Sequence, residues 1–408
     1  MITARISATC LLTAVVLGAF VAPSPAENWP VWRGPRGDGT SLETSVPRQW
    51  SATQNIKWKV PIPGKGHASP VVWGDRIFLV TATENERVLL CLDRLSGRIL
   101  WNKTVLESPR ERIHRLNSYA SSTPATDGRH VFVSFLDEKQ MFIAAYDFDG
   151  KQVWGRQPGV FSSVHGYCAS PILWKDTLII NGDHDGKAYI VSLHKDSGKT
   201  AWKTMRPNRI RSYCTPLLRR IDGRNQMILS GSRSVASYDP DTGRQHWVID
   251  GPTDQFVASL VYNGDLLFMT AGFPERHMMA IRPDGHGNVT KTHVAWHTRS
   301  GCSYVPSPIA AGPYFLVVDD RGKASCFKAA TGDRLWYEKL GGRHSASLVS
   351  ANGLVYFLAD DGVMTVVRPG PKLNVIARNE LGEACNASPA ITQGQMLIRG
   401  DRHLFCIE

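Results

Sequence analysis

The sequence predicts an all-β fold, a single eight-bladed β-propeller of four-stranded antiparallel blades. Three observations predict it. A small residue followed by proline, or a close variant, opens an apolar strand at Ser69, Thr123, Ser170, Thr215, Ser259, Ser307, Ser347 and Ser388, at intervals of 40 to 54 residues, the period of propeller blades. Within that period a strand, a glycine turn and a tryptophan recur, as CLDRLSGRILW, SLHKDSGKTAW, SYDPDTGRQHW and CFKAATGDRLW. Finally, the eighth repeat stops at LFCIE with no fourth strand, while NIKWKVPIPG, residues 55–64, reads as a fourth strand with no blade of its own.

Each element of a blade has a local cause. The openings lead into VVWGDRIFLV, ILWKDTLII, LVYNGDLLFMT and LVSANGLVYFLA, whose central Gly-Asp, Lys-Asp, Asn-Gly and Ala-Asn pairs are hairpin turns between strands one and two. A third strand follows, then the glycine turn, where Gly97, Gly198, Gly243 and Gly332 supply the positive φ that other residues resist. Trp101, Trp202, Trp247 and Trp336 then stand on the outer strand, with Trp154 and Trp296 in the same place after a shorter and a longer turn. A lone blade exposes both faces of its sheet, so each indole is expected to wedge between neighbours, where it covers roughly 150–250 Å². The seventh repeat has Ala377 instead, and Trp58 on the orphan strand serves the eighth. Residues 55–62 should therefore pair with the C-terminal strand, leaving no open edge and 32 strands in all.

The rest of the chain bounds location and partners. The stretch from Met1 to Ala26 has Arg5, an apolar run from Cys10 to Ala22 and small residues ending at Ala26, which reads as a secretory signal peptide cleaved after Ala26. The alternative is an uncleaved anchor, for which the run is short of the roughly 20 residues a span needs. Residues 27–54 then form an extension packing on the propeller of residues 55–408. The 408 residues carry a net charge of +11, and losing Arg5 with the leader leaves about +10, a balance suited to acidic polysaccharide, anionic head groups or acidic peptides, or to solubility alone. Beyond the leader lie Cys91, Cys326 and Cys406 at matching strand positions, as small buried filler, and Cys168, Cys214, Cys302 and Cys385 before strand openings. None is adjacent to another or spaced CxxC, and adjacent blades hold Cys168 and Cys214 too far apart for a disulfide, so free thiols are expected.

The Asp-x-x-Thr/Ser-Gly-x-x-x-Trp pattern at Asp93–Trp101 and Asp239–Trp247 resembles the tryptophan-docking repeat of pyrroloquinoline-quinone (PQQ) propellers, a superfamily of quinoprotein alcohol dehydrogenases and BamB-like assembly proteins. NWPVWRGPRGDGTS, residues 28–41, with PIPGKGHASPVVWGDRIFLVTA, resembles a group of exported bacterial PQQ-like propellers, and the resemblance spans about residues 28–408. It implies the fold; the repeated residues pack blades and imply little about activity. A dehydrogenase of this family would bring an adjacent-cysteine ring, calcium held by Glu, Asn and Asp, and an Asp base. No Cys-Cys pair exists here, and the clearest acids before strand openings, Asp254 and Glu383, fall short of the six to eight oxygens calcium takes.

Other motifs are absorbed by the repeat. GDHDG at 182–186 has hairpin counterparts at 319–322, 359–362 and 400–403, GKT at 198–200 is a repeat turn, and RGD at 36–38 is a chance tripeptide. Neither HExxH nor GxSxG occurs.

What remains is the mouth, where the loops entering the inner strands gather. Those loops carry His67, Tyr119, His165, Tyr167, Tyr213, Phe256, Tyr304 and His344, with cations at Arg112, Arg115, Arg209, Arg211 and Arg343. Aromatic faces beside guanidinium forks suit an anionic or carbohydrate-like ligand or an acidic peptide. The competing account has the tyrosines filling the funnel and bonding neighbouring blades. The expected function is a non-catalytic exported scaffold binding a protein or an anionic polymer, with peripheral association with the envelope allowed, no nucleic acid, no metal and no cofactor. The alternatives are a PQQ- and calcium-dependent oxidoreductase and a lectin for acidic carbohydrate; a hydrolase would need two facing carboxylates.

Overall fold

Ile56–Pro61 runs antiparallel to His403–Ile407, with Trp58 opposite Cys406 and Val60 opposite Leu404. This pairing closes the ring. The computed structural model describes residues 26–408, so the expected leader, up to residue 25, lies outside the described residues. Blade 1 is Val71–Trp73, Arg76–Ala82, Glu86–Asp93 and Ile99–Glu107, hydrogen-bonded in that order. Six further blades repeat the order, and Ala390–Thr392, Gln395–Arg399 and His403–Ile407 make the eighth with the orphan strand. One sheet departs from the expected four strands. The long turn of blade 5 lays Gly287–Asn288 parallel to the outer strand of blade 4, Gln245–Asp250, through Trp247↔Gly287 and Val248↔Asn288. The described residues thus hold 33 strands, because the extra turn length reaches an exposed edge and covers it.

The tryptophans dock as expected, with a polar contact that the pattern does not spell out. Each indole Nε1 donates to a main-chain carbonyl of the next blade: Trp58 to Arg94 (2.9 Å), Trp101 to Phe148 (2.9 Å), Trp154 to Lys195 (2.7 Å), Trp202 to Pro240 (3.1 Å), Trp296 to Ala329 (2.9 Å) and Trp336 to Gly370 (3.1 Å). Trp247 donates to Pro283 and to Gln226 of its own blade. The ring lies on the glycine of the neighbour's turn: a Cβ on Gly97 (φ 72°) would sit 2.8 Å from the Trp58 ring, and one on Gly243 (φ 72°) 2.5 Å from Trp202. Glycine is needed there twice, for its dihedral and for its missing side chain. Across the sheet each indole faces a small residue, Cys91, Ala145, Ser192, Ser237, Ala280, Cys326 or Cys406. Ala377 faces Val366 at the same register, and the extension brings Trp50 into that apolar cluster, its backbone N–H donating to Asn379 Oδ1 at 3.0 Å.

A second ring runs inside the first. The hydroxyl at each blade opening accepts the backbone N–H of the preceding opening: Ser69 to Thr123 (3.0 Å), Thr123 to Ser170 (3.0 Å), Ser170 to Thr215 (3.3 Å), Thr215 to Ser259 (3.0 Å), Ser259 to Ser307 (2.9 Å), Ser307 to Ser347 (3.0 Å) and Ser347 to Ser388 (2.9 Å). This girdle explains why serine or threonine recurs there. It is broken at the joint between blades 8 and 1, where the Ser69 hydroxyl is buried without a partner. Arg399 bridges that joint, its Nη1 donating to Val80 (2.6 Å) and Ala68 (3.4 Å) carbonyls.

The extension straps the end of the channel opposite the mouth. Trp29 exchanges backbone bonds with Val72 of blade 1, and Pro30 accepts from Thr126 of blade 2. Buried Arg33 donates to Pro308 and Leu348, and Arg219 of blade 4 holds Asp38. Glu43 accepts from the backbone of Gln393 and Gly394 in blade 8. All seven cysteines among the described residues are free.

Ser307→Ala strips the acceptor from the buried Ser259 N–H and is expected to cost about 1–3 kcal/mol. Ser69→Ala removes a hydroxyl with no partner and should leave stability within about 0.5 kcal/mol. Urea midpoints of the two variants check the contrast.

Candidate functional site

The mouth opens into a cavity of about 380 Å³ whose lining includes Trp32 of the extension. Since the extension crosses the far end of the channel, Trp32 stands at the base of the cavity. Its wall follows a register set by the girdle. Two residues before each girdle position stand His67, Ser121, Cys168, Tyr213, Val257, Val305, Ser345 and Asn386, and all eight line the cavity. Five girdle residues, Ser170, Thr215, Ser307, Ser347 and Ser388, line it below them. The cause is the alternation of extended backbone: every second side chain faces the channel and the one between faces the blades.

That alternation sorts the expected site. His67, His165, Arg211, Tyr213 and Tyr304 line the cavity. Tyr119, Tyr167, Arg343 and His344 do not. Tyr167 and His344 stand three positions before the girdle and turn into the sheets. The Tyr167 ring packs edge-on against Phe161 at 5.0 Å with its hydroxyl on Ser134 (3.1 Å), and His344 bonds the Gly342 carbonyl (3.2 Å). Phe256, at the same offset, is fully buried. Tyr119 donates to the Glu111 carbonyl (3.1 Å) beneath the Arg87 and Arg110 guanidiniums. Arg343 points outward near Asp360 (3.9 Å). For Tyr119 and Tyr167 the funnel-filling account applies, His344 is packed in the same way, and Arg343 does neither. The register rule was available in the sequence once a girdle position is known, and it would have found Cys168, Ser121 and Asn386. Trp32 and His114 have no repeat counterpart, so no pattern places them.

The polar groups of the cavity are neutral or cationic. Arg211 Nη1 bonds both oxygens of Asp185 (3.0 and 2.9 Å) and its Nε faces His165 Nδ1 (3.4 Å). The His114 and His165 rings meet at 5.2 Å. Burial first, then Arg211 and His114, hold His165 below the ordinary histidine range, and burial with Arg399 does the same to His67. Arg399 is itself pushed down to about 9 by burial. The Tyr213 hydroxyl bonds Ser163 (2.8 Å) and that of Tyr304 bonds Gln255 (3.2 Å). Burial pushes the Cys168 thiol up to about 12, which leaves it un-ionised and unreactive.

No aspartate or glutamate lines the cavity. Asp254 pairs with Arg233 (2.6 Å), and Glu383 is consumed by the backbone of Arg402 and His403 and by the His403 ring (2.6 Å). GDHDG also disperses: Asp183 pairs with Arg206, His184 faces the Lys187 carbonyl and Asp185 holds Arg211. Among the described residues no three His, Cys, Asp or Glu side chains are grouped to hold a metal. Calcium needs an oxygen-rich shell, and PQQ held through calcium does not fit these donors.

Blade order, docking indoles and a loop-built mouth define a PQQ-like β-propeller. The chain belongs to that family: a family model described as outer membrane protein assembly factor BamB matches residues 85–292 and 288–369. Among solved structures, BamB from Moraxella catarrhalis superposes with a TM-score of 0.62 at 14% identity, over 86% of this chain and 96% of that one. Quinohemoprotein alcohol dehydrogenase from Comamonas testosteroni gives 0.66 at 12% identity, over 95% and 81%. The computationally designed Ika8 protein gives 0.58 at 12%, over 91% and 99%. These likenesses concern the fold. No curated protein matches the sequence.

The depressed histidines set a pH dependence. Below the ordinary value of 6.5 the unfolded chain takes up protons that native His67 and His344 resist. Their contribution to stability is therefore whole above pH 6.5 and lost as pH falls toward their lower native values. The melting temperature is expected to drop between pH 6.5 and about 5, with a shallower slope in the His67→Asn/His344→Asn variant.

Proposed function

We propose that this chain is an exported, non-catalytic binding propeller of the cell envelope, whose mouth takes the anionic end of a protein or polymer ligand. The supporting observation is the cavity without a lining carboxylate, lined by His67, His114, His165 and Arg211 above Trp32. Buried Arg399, hydrogen-bonded only to main-chain carbonyls and with Asp401 as its nearby countercharge, adds positive charge behind His67. In a water-poor pocket such charge acts at higher strength than at an open surface. Aromatic faces at Tyr213 and Tyr304 supply flat walls for the apolar part of a ligand. Quinoprotein oxidoreduction has no aspartate base and no calcium shell in this cavity, and a hydrolase has no carboxylate pair.

The test uses mature protein purified from an envelope fraction. Its N-terminus, read by mass spectrometry, should be Glu27. Calorimetry with small dicarboxylates should show binding that weakens roughly tenfold in Arg211→Ala, the change expected for losing a charge-assisted contact. Dye reduction on adding PQQ, calcium and alcohols should stay at background. Turnover in that assay, or indifference of every anion to Arg211→Ala, would overturn the proposal.

A further inference from the structure

Three mouth loops are sewn together at His165. His114 N–H and the Asn117 amide both donate to the His165 carbonyl (3.2 and 2.8 Å), and Arg211 reaches its ring. The loop after blade 2 continues the seam: the Asp185 N–H donates to Ser162 (2.9 Å), and Asp185 holds Arg211. Ile113 packs against Gly166, where a Cβ would come within 2.7 Å. The loops of residues 109–117, 161–167 and 206–213 therefore make one continuous surface beside the cavity.

That surface is strongly one-signed. Arg110, Arg112, Arg115 and Arg209 are exposed on it, and among the described residues none of the four has a carboxylate partner. Its own acids are spent, Glu111 on buried Arg87 (3.1 Å) and Asp185 on Arg211. The opposite side of the mouth carries both signs, with Asp320 on the Tyr304 and Val305 N–H groups, Asp361 against Gly342, and Asp360 beside Ser345 with Arg343 at 3.9 Å.

Apolar side chains interrupt the basic side. Val160, Val164 and Met205 are 44%, 45% and 54% exposed. Val160 and Met205 end neighbouring outer strands, which Lys203 ties together by donating to the Pro158 carbonyl (2.8 Å). Val164 lies in the same loop as His165, which lines the cavity.

We infer that the blade 1–4 side of the mouth is a docking surface for an acidic peptide segment with apolar side chains, running into the cavity. This rests on the mouth being an anion-binding site and deepens that reading by naming a polypeptide partner. A polyanionic sugar would satisfy the arginines and leave Val160, Val164 and Met205 in water. A peptide alternating acidic and apolar residues covers both, and the arginines without carboxylate partners hold its acidic groups to this side of the mouth.

The test is fluorescence polarisation with a labelled ten-residue peptide alternating Glu and Leu. Its Gln–Leu counterpart, an oligogalacturonate of matched charge and phosphatidylglycerol vesicles run in parallel. The Glu–Leu peptide should bind the wild-type chain and lose roughly tenfold in affinity with Arg112→Glu/Arg115→Glu, more steeply at low salt. Val164→Ser/Met205→Ser should weaken the peptide and leave oligogalacturonate unchanged. These positions are exposed, so melting temperatures should match wild type and separate lost binding from lost folding.

Dicarboxylate calorimetry on Arg112→Glu/Arg115→Glu distinguishes the two proposals. Peptide binding that depends on the rim while dicarboxylates fail to bind would sink the cavity reading and keep the surface. Dicarboxylate binding with a peptide indifferent to the rim would do the reverse. Equal or tighter binding of oligogalacturonate or vesicles, or no binding by any probe, overturns the docking surface.

Discussion

A circular stack of sheets depends on its last joint, where the two chain ends must hold each other as firmly as the chain holds its interior blades. Here that joint is the antiparallel pairing of Ile56–Pro61 with His403–Ile407. It carries the same devices as every other joint, since Trp58 faces Cys406 within the sheet and donates to Arg94 of blade 1. It lacks one of them. The girdle of hydroxyl bonds stops at Ser388, and a buried arginine, Arg399, reaches across to blade 1 instead. Asn181, at the corresponding place in blade 3, makes the analogous bond to the Cys214 carbonyl (3.0 Å). An inter-blade tie has thus been lengthened from an amide to a guanidinium where the ring is closed by strand pairing.

The strap reinforces the same region. Residues 29–50 bond to blades 1, 2, 4, 6, 7 and 8, with Trp50 beside the one outer strand that has no tryptophan of its own. The strap therefore has two consequences from one path. It ties blades that would otherwise touch only their neighbours, and it carries Trp32 under the cavity, so the stability of the ring and the depth of the site share a segment.

Much of the candidate site was legible once the blades were counted, because loops entering inner strands must converge. Aromatic and basic side chains in those loops were the right neighbourhood, yet Tyr167 and His344 sit one residue away from the channel-facing register, and extended backbone turns such a neighbour into the sheets. Tyr304 shares their offset and still reaches the cavity, beside Gln255, where the chain at Tyr304 and Val305 is bent by Asp320. Cys168 stands two residues before Ser170, and that position is what puts it on the wall.

By itself the sequence determined the blade count, the closing strand and the docking residues, because each is a repeated local requirement: a glycine with positive φ, a small cross-strand partner, an indole on the outer strand. Only the tertiary structure decided that Trp32 stands at the base of the cavity, that Arg399 carries the broken girdle and that the added strand of residues 287–288 covers blade 4. Those features join residues far apart in the chain and occur once each. Periodicity records what every blade must do, and a contact made by a single residue across the ring leaves no period to read.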